Sequence, residues 1–123
     1  MGALNDLAVR IAEVNKANGW FDEYRPFSAD IALMHTEVSE AYEEERNGHQ
    51  PWQRYYSYAD GTAETPDLGG VLGKPEGVPS ELADVLIRVL DTAFRYGIDM
   101  DAVLAEKLAY NATRGYRHGG KRA

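Results

Sequence analysis

The chain has no cysteine, and no hydrophobic run in it approaches the roughly 20 residues that a membrane-spanning helix needs. Disulfides, thiolate zinc sites and a cysteine nucleophile are excluded together, and the composition agrees with a reducing compartment. Basic residues are outnumbered, 13 against 20 acidic ones, and the resulting formal net charge of -7 argues against a protein that coats nucleic acid. Histidine is scarce and scattered, at His35, His49 and His118, so no His-Glu-x-x-His zinc motif can be drawn. A glycine-rich phosphate loop after a strand, a Gly-x-Ser-x-Gly elbow and an internal repeat are also missing. Met1 to Leu7 lacks a charged segment followed by an apolar core, so no leader is read there and a cytoplasmic protein is expected.

What is present fits a single folded domain over residues 1–123, with 44% hydrophobic and 27% charged residues. The charge is unevenly placed. Glu37, Glu40, Glu43, Glu44 and Glu45 crowd one short segment, while Arg114, Arg117, Lys121 and Arg122 crowd the end. An acidic patch and a basic patch in one small domain suit a ligand that is itself a metal-bound polyanion; the plain alternative for 115–123 is a frayed, solvated tail.

Four helices are expected. Leu4, Leu7, Ala8, Ile11 and Val14 share one helical face over residues 3–18, and Asn18-Gly19 stops it. Trp20-Phe21 then forms either a plug on the core or a platform for a nucleobase. A second helix opens at Pro26-Phe27-Ser28, with Ser28 as N-cap, and runs through Arg46, with Ile31, Met34, Val38, Ala41 and Tyr42 as its core stripe. From His49 to Val78 periodicity disappears among glycines, prolines and aromatics, which predicts a long loop, either a lid over a site or an arm to a partner subunit, in which Trp52 to Tyr58 can form a short hairpin. Pro79-Ser80 starts a third helix that ends before Gly97. Its apolar residues sweep about 200° and leave one polar stripe of Glu81, Asp84, Arg88, Asp91 and Arg95. Asp99 caps a fourth helix, whose stripe begins as Met100, Val103 and Leu104 and continues as Lys107, Asn111 and Arg114, with Tyr110 beside them.

The acidic residues pair at equal spacing: Glu37-x-x-Glu40 on the second helix and Glu81-x-x-Asp84 on the third. Each pair alone is compatible with a solvated face held by intrahelical ion pairs. Together, on two helices packed antiparallel, four carboxylates can converge on one point. All-oxygen ligation selects hard ions, so Mg²⁺ or Mn²⁺ is the expected guest. A di-iron bundle would want Glu-x-x-His on two helices, which this chain does not offer. Farther along the third helix, Asp91 and Arg95 are expected to face solvent or an interface. Lys107, Asn111 and Arg114, on a stripe that begins apolar, are expected to line a cleft and meet phosphate.

These two motifs, Lys-Pro-Glu-Gly-Val-Pro-Ser-Glu-Leu-Ala-Asp-Val-Leu-Ile-Arg at 74–88, and Lys107, Tyr110, Asn111 and Arg114 with the Arg117-His118-Gly119-Gly120-Lys121 ending make the chain resemble the all-α nucleotide pyrophosphohydrolases of the MazG-like superfamily. The resemblance implies an all-α, bundle-like domain working as a dimer or dimer of dimers. It implies Mg²⁺-dependent cleavage of a nucleoside triphosphate to monophosphate and pyrophosphate. Glu37, Glu40, Glu81 and Asp84 would then hold the metal, with Glu37 and Glu40 also catalytic, and Lys107, Tyr110, Asn111 and Arg114 would bind substrate. Two features depart from the family pattern: the interval at 49–78 is longer than in compact members, and Thr36 stands where many members carry a Glu. A non-catalytic helical module that binds nucleotide or a partner protein is the alternative.

Overall fold

A computed structural model describes residues 2–116. In chain order the elements are α1 (Ala3–Ala17), α2 (Phe27–Arg46), β1 (Tyr55–Tyr58), β2 (Gly61–Ala63), β3 (Asp67–Leu68), β4 (Val71–Leu72), β5 (Lys74–Glu76), α3 (Val78–Arg95) and α4 (Met100–Thr113). The all-α expectation is corrected by this order. Four helices are present and 58% of the structure is helical, but five short antiparallel strands occupy the segment expected as a loop, so the fold is mixed α and β. Among the described residues no helix is long and apolar enough to cross a membrane.

The strands form where turn chemistry and tyrosines allow them. Tyr55-Tyr56-Ser57-Tyr58 is rich in β-prone aromatics, and β1 pairs on both sides in the order β2-β1-β5. Its register sets Tyr56 against Ala63 on one side and Pro75 on the other. Pro75, which has no N–H to donate, sits on the edge strand, where that loss is tolerated. Gly69 and Gly70 link β3 to β4 with φ of 60° and 86°, the left-handed pair a two-residue hairpin turn requires. Asp67 fixes that turn by accepting from the Gly70 N–H at 2.9 Å.

The chain divides into two compact units. One is Glu23–Val89, which holds α2, the strands and the first part of α3; the other gathers α1, the end of α3 and α4.

Within the latter, Ala8, Ala12, Leu90 and Ala93 are buried, and small residues on α1 let the helices approach closely. Asp91 is only 3% exposed, so of its two expected places, solvent or an interface, it does not take the first. Its carboxylate accepts from Asn15 Nδ2 and Arg95 Nε, both at 3.1 Å, so the charge is paired inside. Arg95 also donates to the Trp20 carbonyl and lies 4.3 Å over the Phe21 ring, so Phe21 packs against the end of α3 while Trp20 is 57% exposed. Asp99 caps α4 as expected, accepting from the Ala102 N–H at 3.0 Å. No local side chain caps α1. Asp101 does so from α4, accepting from the Leu4 and Asn5 N–H groups at 3.1 and 2.9 Å. Asp101→Ala is expected to cost about 1 kcal/mol, the scale of a lost N-cap, read as a lower urea midpoint.

In the Glu23–Val89 unit, α2 overturns its expected core stripe. Val38 and Tyr42 are 54% and 62% exposed and Ile31 is exposed too, whereas the buried residues of the helix are Asp30 and Glu37. The helix begins two residues early, with Pro26 at its N-cap in place of Ser28. Asp30 is held by the Arg25 guanidinium. The inward side of α2 is thus its acidic side.

Candidate metal centre

On an α-helix, residues three apart share a face, so Glu37 and Glu40 of α2 project together, as do Glu81 and Asp84 of α3. The fold brings three of these four to one point. Carboxylate oxygens of Glu37, Glu40 and Glu81 all lie within 4.8 Å of one another. Glu37 is buried, Glu81 half-buried and Glu40 exposed, so the group forms a pit open on one side.

Like charges this close resist ionisation together. Burial, then the Glu40 carboxyl through hydrogen bonding and charge, pushes Glu81 up to about 7, with Asp84 and Glu37 adding to the rise. Burial also raises Glu37, assisted by Asp84 and Glu40 and opposed by its hydrogen bond with Arg88. Asp84 is raised chiefly by burial, with Glu40 adding and with Arg88 and Lys74 opposing. It stands one turn beyond the three-carboxylate group, within its field. The Glu81 Oε2 atom is buried and has no hydrogen-bond partner, and such an orphaned acceptor is costly unless a cation or proton meets it. The donor set is all oxygen and strongly anionic, which fits a hard divalent ion such as Mg²⁺ or Mn²⁺.

Arg88 is the residue of the site to which sequence reasoning gave no role. Its Nε donates to Glu37 Oε1 at 3.2 Å and fixes the deepest carboxylate. The available signal was its place on the acidic stripe, four residues after Asp84. Arg88→Met leaves Glu37 without its guanidinium and is expected to lower stability at neutral pH by about 1–3 kcal/mol. Added Mn²⁺ should restore part of that loss, which differential scanning calorimetry with and without the ion would show.

A second group flanks the pit on α2. Glu44 accepts from Tyr55 Oη at 3.0 and 3.1 Å, and His49 Nδ1 lies 2.6 Å from its Oε2. A carboxylate can only accept, so His49 carries its proton on Nδ1. Burial first, then the bond to Glu44 and that residue's charge, pushes Tyr55 up to about 12, with Glu76 and Glu81 contributing. Tyr55 therefore stays a donor and ties β1 to α2 beside the acids.

Thr36 takes no part in the pit: its Oγ1 donates back to the Ala32 carbonyl at 3.1 Å. Lys107, Tyr110 and Asn111 stand exposed on α4, and Arg114 at its C-cap lies 5.6 Å over the Tyr110 ring. All four belong to the other unit. Arg117, His118, Gly119, Gly120, Lys121 and Arg122 lie outside the described residues. Comparison with protein-family models, curated proteins and solved structures returned no match.

Proposed function

We propose that the chain is a Mg²⁺-dependent nucleoside triphosphate pyrophosphohydrolase, and that Glu37, Glu40, Glu81 and Asp84 hold the metal. The observation that carries this reading is the convergence of Glu37, Glu40 and Glu81 carboxylate oxygens within 4.8 Å of one another, beside the buried Glu81 Oε2 that accepts no hydrogen bond. A divalent cation bound there supplies positive charge to the polyphosphate and a place for water. The residues of the chain supply orientation and the proton path. Arg88 holds Glu37 in one rotamer, so that the deep side of the pit is fixed before substrate arrives. Glu40, at the open side, takes the proton of the attacking water as its oxygen bonds to the α-phosphorus and pyrophosphate leaves.

The substrate-side roles that the resemblance gives Lys107, Tyr110, Asn111 and Arg114 belong to the same proposal, and alanine at each checks them. Assembly as a dimer or dimer of dimers belongs to it as well, supported by the apolar side that α2 leaves exposed at Ile31, Val38 and Tyr42; light scattering coupled to gel filtration reads the mass. A cytoplasmic location, where such nucleotides are made and used, accords with the cysteine-free composition.

The decisive measurement is pyrophosphate release from a panel of ribo- and deoxynucleoside triphosphates, with and without Mg²⁺. Turnover that requires the metal and is lost in Glu37→Ala and Asp84→Ala is expected. Failure of the pure protein to turn over any of them, or full activity in those variants, overturns the reading.

A further inference from the structure

A cavity of about 460 Å³ opens between the β1–β5 edge of the sheet and α3, within the Glu23–Val89 unit. Ordinary small-molecule sites span roughly 300–1,000 Å³, so the space suits the sugar and base of one nucleotide. Arg54, Tyr56 and Pro75 form one wall, and Ala83, Asp84 and Ile87 line the other. The last three share one face of α3, at i, i+1 and i+4, next to the stripe of Glu81, Asp84 and Arg88. Asp84 belongs to both surfaces. A ligand whose phosphates lie at the acidic pit can therefore extend into the cavity without crossing the helix.

We propose that this cavity is the nucleoside subsite, built by the arm at 49–78 that lengthens this chain between its two acidic motifs. The inference rests on the hydrolase reading of the acidic pit. Its lining is mixed: Pro75, Ala83 and Ile87 are apolar, Glu76 and Asp84 offer carboxylates that can accept from base or sugar, and Arg54 brings a planar cation. The Arg54 guanidinium donates to Tyr56 Oη at 3.0 Å, and Tyr56 is 6% exposed and rigidly packed. Among the described residues Arg54 meets no carboxylate at ion-pair distance. A guanidinium so placed stacks on a base or forks onto its acceptor edge, which an ammonium cannot do. A fatty chain would leave Arg54 and Asp84 unanswered, and an anion without a base would leave the apolar walls empty.

The test is calorimetric binding to the full chain with Mn²⁺ present. The probes are α,β-imido nucleoside triphosphates, which are not cleaved, and inorganic tripolyphosphate, which has no nucleoside. Wild-type protein should bind the nucleotides more tightly than tripolyphosphate. Ala83→Trp fills the cavity from an exposed helix position, and Arg54→Ala removes the planar cation. Each should weaken nucleotide binding roughly 10- to 100-fold, the range of one lost base-stacking contact, and leave tripolyphosphate and Mn²⁺ binding unchanged. Arg54→Lys, which keeps charge without the plane, should not restore affinity. Nucleotide binding no tighter than that of tripolyphosphate, or unchanged in Ala83→Trp and Arg54→Ala, overturns the subsite. Expected binding without pyrophosphate release by wild type would instead overturn the hydrolase reading and leave the subsite standing.

Discussion

Glu81→Gln is expected to abolish saturable Mn²⁺ binding and to lower pyrophosphate release by about 10²–10³-fold, the scale on which one preorganised charged group acts. The same substitution should make the metal-free protein more stable. Glu81 is pushed up to about 7 because burial and three neighbouring carboxylates oppose its ionisation, so at pH 8 the wild-type chain carries that repulsion in full. Glutamine keeps the shape and removes the charge. The gain should be present at pH 8 and vanish near pH 5, where the wild-type carboxyl is already protonated. Calorimetric titration with Mn²⁺ and melting scans at the two pH values read both effects. A variant that still binds Mn²⁺ as wild type does would remove Glu81 from the site, and one that loses both binding and stability would make its role structural. A site that is unstable when empty and loses function when relieved is what a built ligand site entails.

The two acidic motifs were legible because helical spacing is independent of packing: three residues apart is one face wherever the helix lies. Which face turned inward was not. Counting apolar residues placed Ile31, Val38 and Tyr42 in the core of α2, yet the structure buries Asp30 and Glu37 there. The usual rule assumes that nothing compensates a buried acid, and here Arg25 and Arg88 do. Both the Arg88 to Glu37 bond, across 51 positions, and the Asn15 to Asp91 bond, across 76, are pairings that periodicity along one helix cannot contain. The burial of Asp91 against Asn15 was hidden for the same reason. The helix ends fared better, since Asp99 and Gly97 act locally; Gly97 takes φ 65° as α3 closes.

The arm was misread for a different cause. Its strands are two to four residues long, too short for alternation to register, and their signals lie in turns such as Gly69-Gly70. This matters for function because the arm carries Tyr55, which ties it to Glu44, and Arg54 and Lys74, which bring cations toward an acidic cluster.

The largest environmental effect expected is a reversal of pH dependence by metal. Glu81 has an ordinary value of 4.5 and is pushed up to about 7 in the folded chain. Between those values the folded state keeps a proton that the unfolded state releases. The associated stability is fully present below about pH 4.5 and is lost as pH rises through about 7; the raised Glu37 and Asp84 act in the same direction. A divalent cation competes for the same oxygens and needs them ionised, so its contribution grows over the window in which the proton's fades. With Mn²⁺ at a hundred times its dissociation constant, the gain at pH 8 is about 2.7 kcal/mol, on the order of 10 °C in melting midpoint for a chain of this size. At pH 5 the shift should be small. Scans of wild type and Glu81→Gln at pH 5, 6, 7 and 8, with and without the ion, isolate this site from the other acids. The difference between the two metal-free proteins should widen with pH, and only wild type should gain from Mn²⁺. A Mn²⁺ shift equal at pH 5 and 8 would mean that the ion binds somewhere other than on carboxylates that hold protons near neutrality.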